Sequence, residues 1–435
     1  MNRRNMLTAA MTTALAGCGG AGLSMVSGGS SAAQPPPPAT PPPTSSAPPS
    51  GTAPPPAPSS TGSANIFYPG DYDATSAGDA SRVQAAYDDA AAVGGTVVSD
   101  VPLVLNEPIN CTRADSANHP AVKFLNLSPS LYPGSGFVIN HDSIGFDCTG
   151  NSSISFDDTT ITTANGQLAV PTIGILWADS QTAATPVGRL SNPKIVGNFS
   201  VAGFYDFGGE QLYIDGGYMY NSNPGGRCAV FTVNNVGEVE SIVPGLIATG
   251  VRSMTIVDLV ACNWLVMNGG AESDCILIDG VAGFHSQGGW AINPTGRSVI
   301  YVDNTHDNSG TTDCSWENMR LDTDTNKVRY GLLFGAATQG QIHTNWKVKG
   351  VHFATSKNAI AALDAHTTLS GLSLDDVSES ASLGLNVPGT VNGLSRLRTG
   401  PMPVRIGTLS HSYIEGLEAN WSCGFGPGVT KVTYG

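Results

Sequence analysis

Asp73-Ala74-Thr75-Ser76-Ala77-Gly78-Asp79-Ala80-Ser81 opens the stretch that decides the fold. It is rich in turn formers and offers several candidate helix N-caps. Behind it Val83, Ala86, Tyr87, Ala90 and Ala91 recur at helical spacing, and Gly94-Gly95 then stops the helix. Thr96-Val97-Val98 begins a strand, and Val101-Pro102-Leu103-Val104-Leu105 follows as a second extended run. An amphipathic helix running straight into strands suits the end of a strand stack, where an unpaired edge would otherwise invite association.

Outward from this stretch, the chain past about residue 120 reads as short strands broken by Gly, Asn, Asp and Ser. Phe137-Val138-Ile139-Asn140, Leu212-Tyr213-Ile214-Asp215-Gly216, Ile276-Leu277-Ile278-Asp279-Gly280 and Val299-Ile300-Tyr301-Val302-Asp303 are examples. Inward apolar residues alternating with outward ones, then an Asp or Asn and Gly turn, are what stacked coils need. From Ile256 the anchors Ile276, Ile300, Trp316, Trp346 and Leu372 follow at 20, 24, 16, 30 and 26 residues. Those intervals centre on one solenoid rung with variable loops. At about 25 residues per rung the chain predicts roughly eleven rungs and a length of some 50 to 55 Å. A β-sandwich is the competing architecture, since it too is built from short, regularly spaced strands.

The order of aspartate-glycine turn, short helix, Gly-Gly, strand and proline-led strand resembles the N-terminal cap of pectate-lyase-superfamily proteins, which include phage tailspikes and polysaccharide depolymerases. The usual Pro-Pro-Gly-x-Tyr turn of that cap is replaced here by Ser99-Asp100-Val101-Pro102-Leu103. The resemblance implies an all-β, single-stranded right-handed parallel β-helix with a short N-terminal capping helix. The cap would span 64–105, the β-helix 64–384, and a less regular closing segment 385–435. By the same resemblance the chain would act on polysaccharides, as a lyase or glycoside hydrolase, and a homotrimer would be the sign of tailspike ancestry.

Residues 1–18 read as an export signal. Arg3 and Arg4 precede the short apolar stretch Met6–Leu15, and the pair also looks like a twin-arginine signal. Leu15-Ala16-Gly17-Cys18 resembles the lipobox of bacterial lipoproteins, which implies lipidation of Cys18 and a membrane anchor; simple secretion is the alternative. Gly19, in place of Asp, implies the outer membrane of a bacterial envelope. Residues 19–63 carry no charge, and thirteen prolines fall between Pro35 and Pro58. Such a segment lacks the apolar groups that offset ordering entropy and predicts a disordered or polyproline tether. After Cys18 come seven cysteines, an odd number, without a C-x-x-C pair, so zinc readings are weak and disulfide pairing stays open.

A net charge of −14 with only 20 Lys and Arg argues against a nucleic-acid partner, whose phosphates need a cationic face. Hydrolysis of a polysaccharide needs paired carboxylates. Asp88-Asp89, Asp157-Asp158 and Asp375-Asp376 are adjacent acids, but a solvated helix face and turns account for them equally well. The polygalacturonase set is incomplete, as Arg405-Ile406-Gly407 lacks the Lys and no Gly-His-Gly occurs; the pectate-lyase Arg-x-Pro-x-x-Arg pattern is absent too. No cofactor is fixed, and Ca²⁺ enters only through the lyase reading. Useful groups are densest between 274 and 352. Glu210, Asp279, Asp303, His306 and Glu317 are the catalytic candidates lining a groove, and Trp316, Arg320, Trp346 and Lys347 the substrate-binding ones. Six basic residues between Arg320 and Lys357 make a local positive strip able to attract an anionic glycan. A non-catalytic glycan-binding adhesin or envelope scaffold is the alternative function.

Overall fold

A computed structural model describes residues 65–432 apart from 114–118, 128–134, 165–169, 179–186, 209–210, 234–255, 267–271, 294–295, 304–310, 320–328, 337–341, 354–357, 380–383, 395, 400–403 and 416–421. Helix α1 (Asp79–Val93) forms where the spacing predicts it and buries Ala80, Val83, Ala86, Tyr87, Ala90 and Ala91. Gly94 ends it at φ 82°, a conformation glycine adopts without Cβ strain, and its N–H reaches the Ala90 carbonyl at 2.7 Å. The helix is tied to the strands beneath it by side chains. Asp79 Oδ2 accepts the Val104 N–H at 2.9 Å. The Gln84 amide donates to the Asn110 carbonyl at 3.0 Å and accepts the Asn110 N–H at 2.8 Å. Tyr87 stacks on Phe124, and Phe124 on Phe156 at 5.1 Å. The first coil is therefore sealed with rings rather than left as a bare edge.

Below the cap the chain winds as a right-handed parallel β-helix with three walls, which we call sheets I, II and III. A complete coil runs from sheet I to III to II: for example Leu190-containing Val187–Ser191, then Lys194–Gly197, then Ala202–Phe207. Among the described residues sheet I has fifteen strands, sheet II fourteen and sheet III seven. Register partners are parallel throughout the named strands, as in Leu212 with Val257, Val257 with Phe284, and Ser286 with Trp316. That pairing excludes the sandwich of antiparallel layers. Crossovers between parallel strands take the right-handed path that strand twist favours.

The corner between sheets I and III needs only two residues. Its first residue is left-handed at Asp158, Asn192, Gly216, Ala261 and Gly288, with φ between 46° and 71°. Short polar side chains and glycine tolerate that region, which is why Asp, Asn and Gly punctuate the strands. Corners also bond along the stack, Asn192 Nδ2 donating to Asp158 Oδ1 at 2.6 Å.

One expectation changes. The anchors from Ile256 to Leu372 mix walls: Ile256 is on sheet I, Ile276 and Ile300 are register partners on sheet II, and Trp316 is on sheet I. On one wall the advance is 27 residues from Val257 to Phe284 and 32 from Trp316 to Val348. From 385 the chain continues the coil with a less even register, which shifts between Val387 and Thr390 and again between Ile406 and Leu409. Leu385–Asn392, Val404–Ser410 and Ser422–Phe425 extend sheet II, and Arg396–Thr399, Tyr413–Glu415 and Thr430–Val432 extend sheet I. Ile414 follows Leu397 and Lys431 follows Ile414, each by 17 residues, so the last coils are short. Among the described residues sheet III ends at Trp290–Ile292.

Candidate active site

Sheet II changes character along its outer face. Its first coils carry a second apolar layer there, from Ile144 and Ile173 through Leu176, Tyr205 and Val230 to Leu277. A parallel sheet apolar on both faces is a covered one. Polar groups gather where Arg227–Thr232, Asp274–Asp279, Ser298–Val302 and Tyr330–Phe334 lie side by side. They form two rows, one at the strand starts and one at the strand ends.

Asp274 organises the first row. It is fully buried, so its charge must be matched locally. Arg297 supplies a two-pronged bond, Nε at 3.0 Å and Nη2 at 2.6 Å, and the Ser298 hydroxyl donates a third. Arg227 Nε lies 4.0 Å from the same carboxylate. Burial works against the charge on Arg297, but the hydrogen bonds and charge of Asp274 outweigh it and raise the guanidinium pKa. The network reaches outward to Glu272, 3.9 Å from Arg297 and 3.2 Å from Arg329. Arg297 also lies over the Tyr301 ring, 3.8 Å from its centroid.

The second row holds the carboxylates. Thr232 faces Asp279 in register, and Ile278 faces Val302, which places Asp279 and Asp303 level on successive strands. Asp279 is fully buried and accepts the Thr232 hydroxyl at 3.1 Å, while Asp303 is half-buried. Tyr301 connects the rows. Burial first, and then the charge of Asp303, push its phenol up to about 12 against the pull of Arg297 and Arg227. It is thus a protonated donor at neutral pH. Gly335 leaves the room this phenol needs, because a Cβ there would collide with Tyr301 Oη.

Of the predicted catalytic residues, the structure brings Asp279 and Asp303 together. Glu317 stands on sheet I, a different wall, in an ion pair with Lys347. Glu210, His306 and Arg320 lie outside the described residues. The two predicted substrate-binding tryptophans are corrected by burial. Trp316 is 1% exposed and stacks on Phe284 at 5.2 Å, and Trp346 is 0% exposed against Phe334 at 5.8 Å. Both are core residues packed inside the coil. Of the positive strip, Lys347 and Lys349 are exposed on sheet I and Arg329 is held by Glu272, while Lys327 and Lys357 lie outside the described residues.

Arg227, Arg297 and Tyr301 were not among the sequence candidates. A signal existed in the repeated strand starts Arg227-Cys228, Asp274-Cys275 and Arg297-Ser298, where a charged group meets a small residue at similar coil positions. Sheet III contributes a separate aromatic face. Lys194, Tyr218, Asn263 and Trp290 follow one another in register, and Tyr218 lies 5.9 Å from Trp290 and 6.5 Å from Tyr220. A cavity of about 860 Å³ beside α1, lined by Gln84, Asp88, Glu107, Asn110 and Arg113, contains none of these groups. Among the described residues no three His, Cys, Asp or Glu side chains converge as a metal site requires.

No protein-family model matches the chain, and no curated protein matches it. Among solved structures it is similar to the Agl-KA catalytic domain, at 10% identity and a TM-score of 0.41, covering 86% of this chain and 69% of that one. It is also similar to the A-module of the Azotobacter vinelandii mannuronan C-5 epimerase AlgE6, at 13% identity and a TM-score of 0.25, covering 85% and 100%. The fold rests on the strand pairing, and the chemistry on the residues just described.

Proposed function

We propose that this chain binds an extracellular or envelope polysaccharide across the outer face of sheet II and cleaves it there by glycoside hydrolysis. The observation that carries the reading is the level placement of Asp279 and Asp303 beside Tyr301 and Arg297. Neighbouring strands are about 4.8 Å apart. That suits a carboxylate pair about 5 to 5.5 Å apart, in which one attacks the sugar and the other protonates the leaving oxygen. An inverting pair needs roughly 6.5 to 9.5 Å for an intervening water.

The test is a panel of neutral and uronate glycans incubated with purified 64–435, with and without added Ca²⁺. New reducing ends without unsaturated uronate are expected, and Asp279→Asn or Asp303→Asn should lower the rate at least a hundredfold. Unsaturated uronate as the main product would replace hydrolysis with elimination. Absence of both products across the panel would remove the catalytic reading.

The aromatic face of sheet III favours a second reading, a non-catalytic glycan-binding adhesin or scaffold. Under it, glycan binding survives Asp279→Asn and Asp303→Asn and is lost in Trp290→Ala. In either case we propose that Cys18 carries the lipid anchor and that 19–63 holds the solenoid away from the membrane.

A further inference from the structure

We infer that Cys111–Cys148 and Cys228–Cys275 are two disulfide staples, each fastening one coil of sheet II to the next. Asn110 is the register partner of Asp147, and the Cys111 N–H bonds the Asp147 carbonyl at 2.8 Å, so Cys111 and Cys148 stand level. Ala229 is the partner of Ile276, which puts Cys228 and Cys275 level one residue earlier. Adjacent strands are about 4.8 Å apart, inside the roughly 4.4 to 6.8 Å of Cα separation that a disulfide spans. All four side chains are fully buried and belong to the same interior cluster, so within each pair they point the same way.

Cys262 Sγ donates to the Gly216 and Ile214 carbonyls at 3.3 and 3.5 Å, and Cys314 Sγ donates to the Thr312 carbonyl at 3.5 Å. Cys423 is level with Ile406.

The structure holds both pairs as thiols. Bridging is an exchange with a disulfide donor, for which glutathione disulfide serves. Its S–S bond breaks, one Cys–Cys S–S bond forms, and the donor leaves as two thiols carrying the two cysteine protons. Burial, and in each case the partner cysteine, hold the Cys148 and Cys275 thiols well above the usual thiol range. Exchange therefore belongs to the folding chain, before the coil closes. The second staple has a further consequence, which rests on the proposed sheet II site. It pins together the strands that carry Arg227 and Thr232 on one side and Asp274 and Asp279 on the other.

The test refolds the reduced full-length chain with a glutathione disulfide and glutathione mixture, then denatures it with iodoacetamide and maps its peptides. The expected result is two cross-linked peptides, Cys111–Cys148 and Cys228–Cys275. The unfolding temperature should fall when reductant is added. Cys275→Ser should release Cys228 for alkylation and leave the first bridge intact. The same mapping on protein isolated without a refolding step keeps the result independent of refolding yield. Alkylation of Cys111, Cys148, Cys228 and Cys275, or a bridge joining any of them to another partner, overturns the inference, whatever the outcome of the glycan assays.

Discussion

Trp316→Ala separates a core role for this indole from a sugar-stacking one. Trp316 occupies the inward position of Ser315-Trp316-Glu317 and is 1% exposed. Its ring lies 5.2 Å from Phe284, at an interplanar angle of 26°. Truncating a buried Trp to Ala costs about 3 to 5 kcal/mol where the cavity does not collapse. The neighbouring strands are fixed on both sides by register with Ser286 and Val348, so little collapse is available. The lost ring pair adds about 0.5 to 1.5 kcal/mol. Trp316→Phe is the control. Among the described residues Trp316 Nε1 has no hydrogen-bond partner, so the substitution gives up volume and no bond. It should cost less than half as much. Urea unfolding at neutral pH reads both values, and glycan binding is measured on whichever variant remains folded. A Trp316→Ala chain with an unchanged unfolding midpoint and lost glycan binding would refute the reasoning and return the indole to a groove.

Other consequences follow from single groups. His343 is fully buried, accepts the Thr311 N–H at 3.2 Å, and is pushed by burial down to about 3. Below pH 6.5 the unfolded chain gains a proton that folded His343 refuses, so its contribution is complete above about pH 6.5 and is lost progressively down to about 3. Stability should therefore fall by roughly 2 kcal/mol between pH 7 and 5, and His343→Met should flatten that dependence in urea titrations. Arg297→Ala leaves Asp274 buried without its main partner and should cost about 3 to 5 kcal/mol, with Arg297→Lys intermediate because it cannot make the two-pronged bond. Cys18→Ala should move the chain from the membrane fraction to the soluble one in a detergent partition; membrane retention would contradict a lipid anchor at this residue.

Local signals were legible where one residue type has one physical use. The spacing of Val83, Ala86, Tyr87, Ala90 and Ala91 leaves only a helix with a buried face, and Gly94 ends it. Strand alternation and Asp, Asn or Gly corners were equally plain. Wall assignment was not, because a two-residue corner and a long loop both separate one apolar run from the next, and neither states which sheet comes next. That is how Ile256 and Ile276 were read as successive rungs although they lie on different walls of one coil. Trp316 was misplaced for an avoidable reason: flanked by outward Ser315 and Glu317, it must point inward by the strand period. Asp279 and Asp303 were each visible as strand-end acids, but their meeting depends on register. The roles of Arg227, Arg297 and Tyr301 depend on contacts across coils 23 to 47 residues apart, which composition does not reveal.

The most direct measurement is hydrogen–deuterium exchange of the full chain with and without the best-bound oligosaccharide of the panel. Protection concentrated in Asp274–Asp279 and Ser298–Val302, and weakened by Asp303→Asn, is the predicted pattern. Protection confined to Tyr218–Asn221 and Trp290–Ile292, or none anywhere, would contradict a sugar site on sheet II.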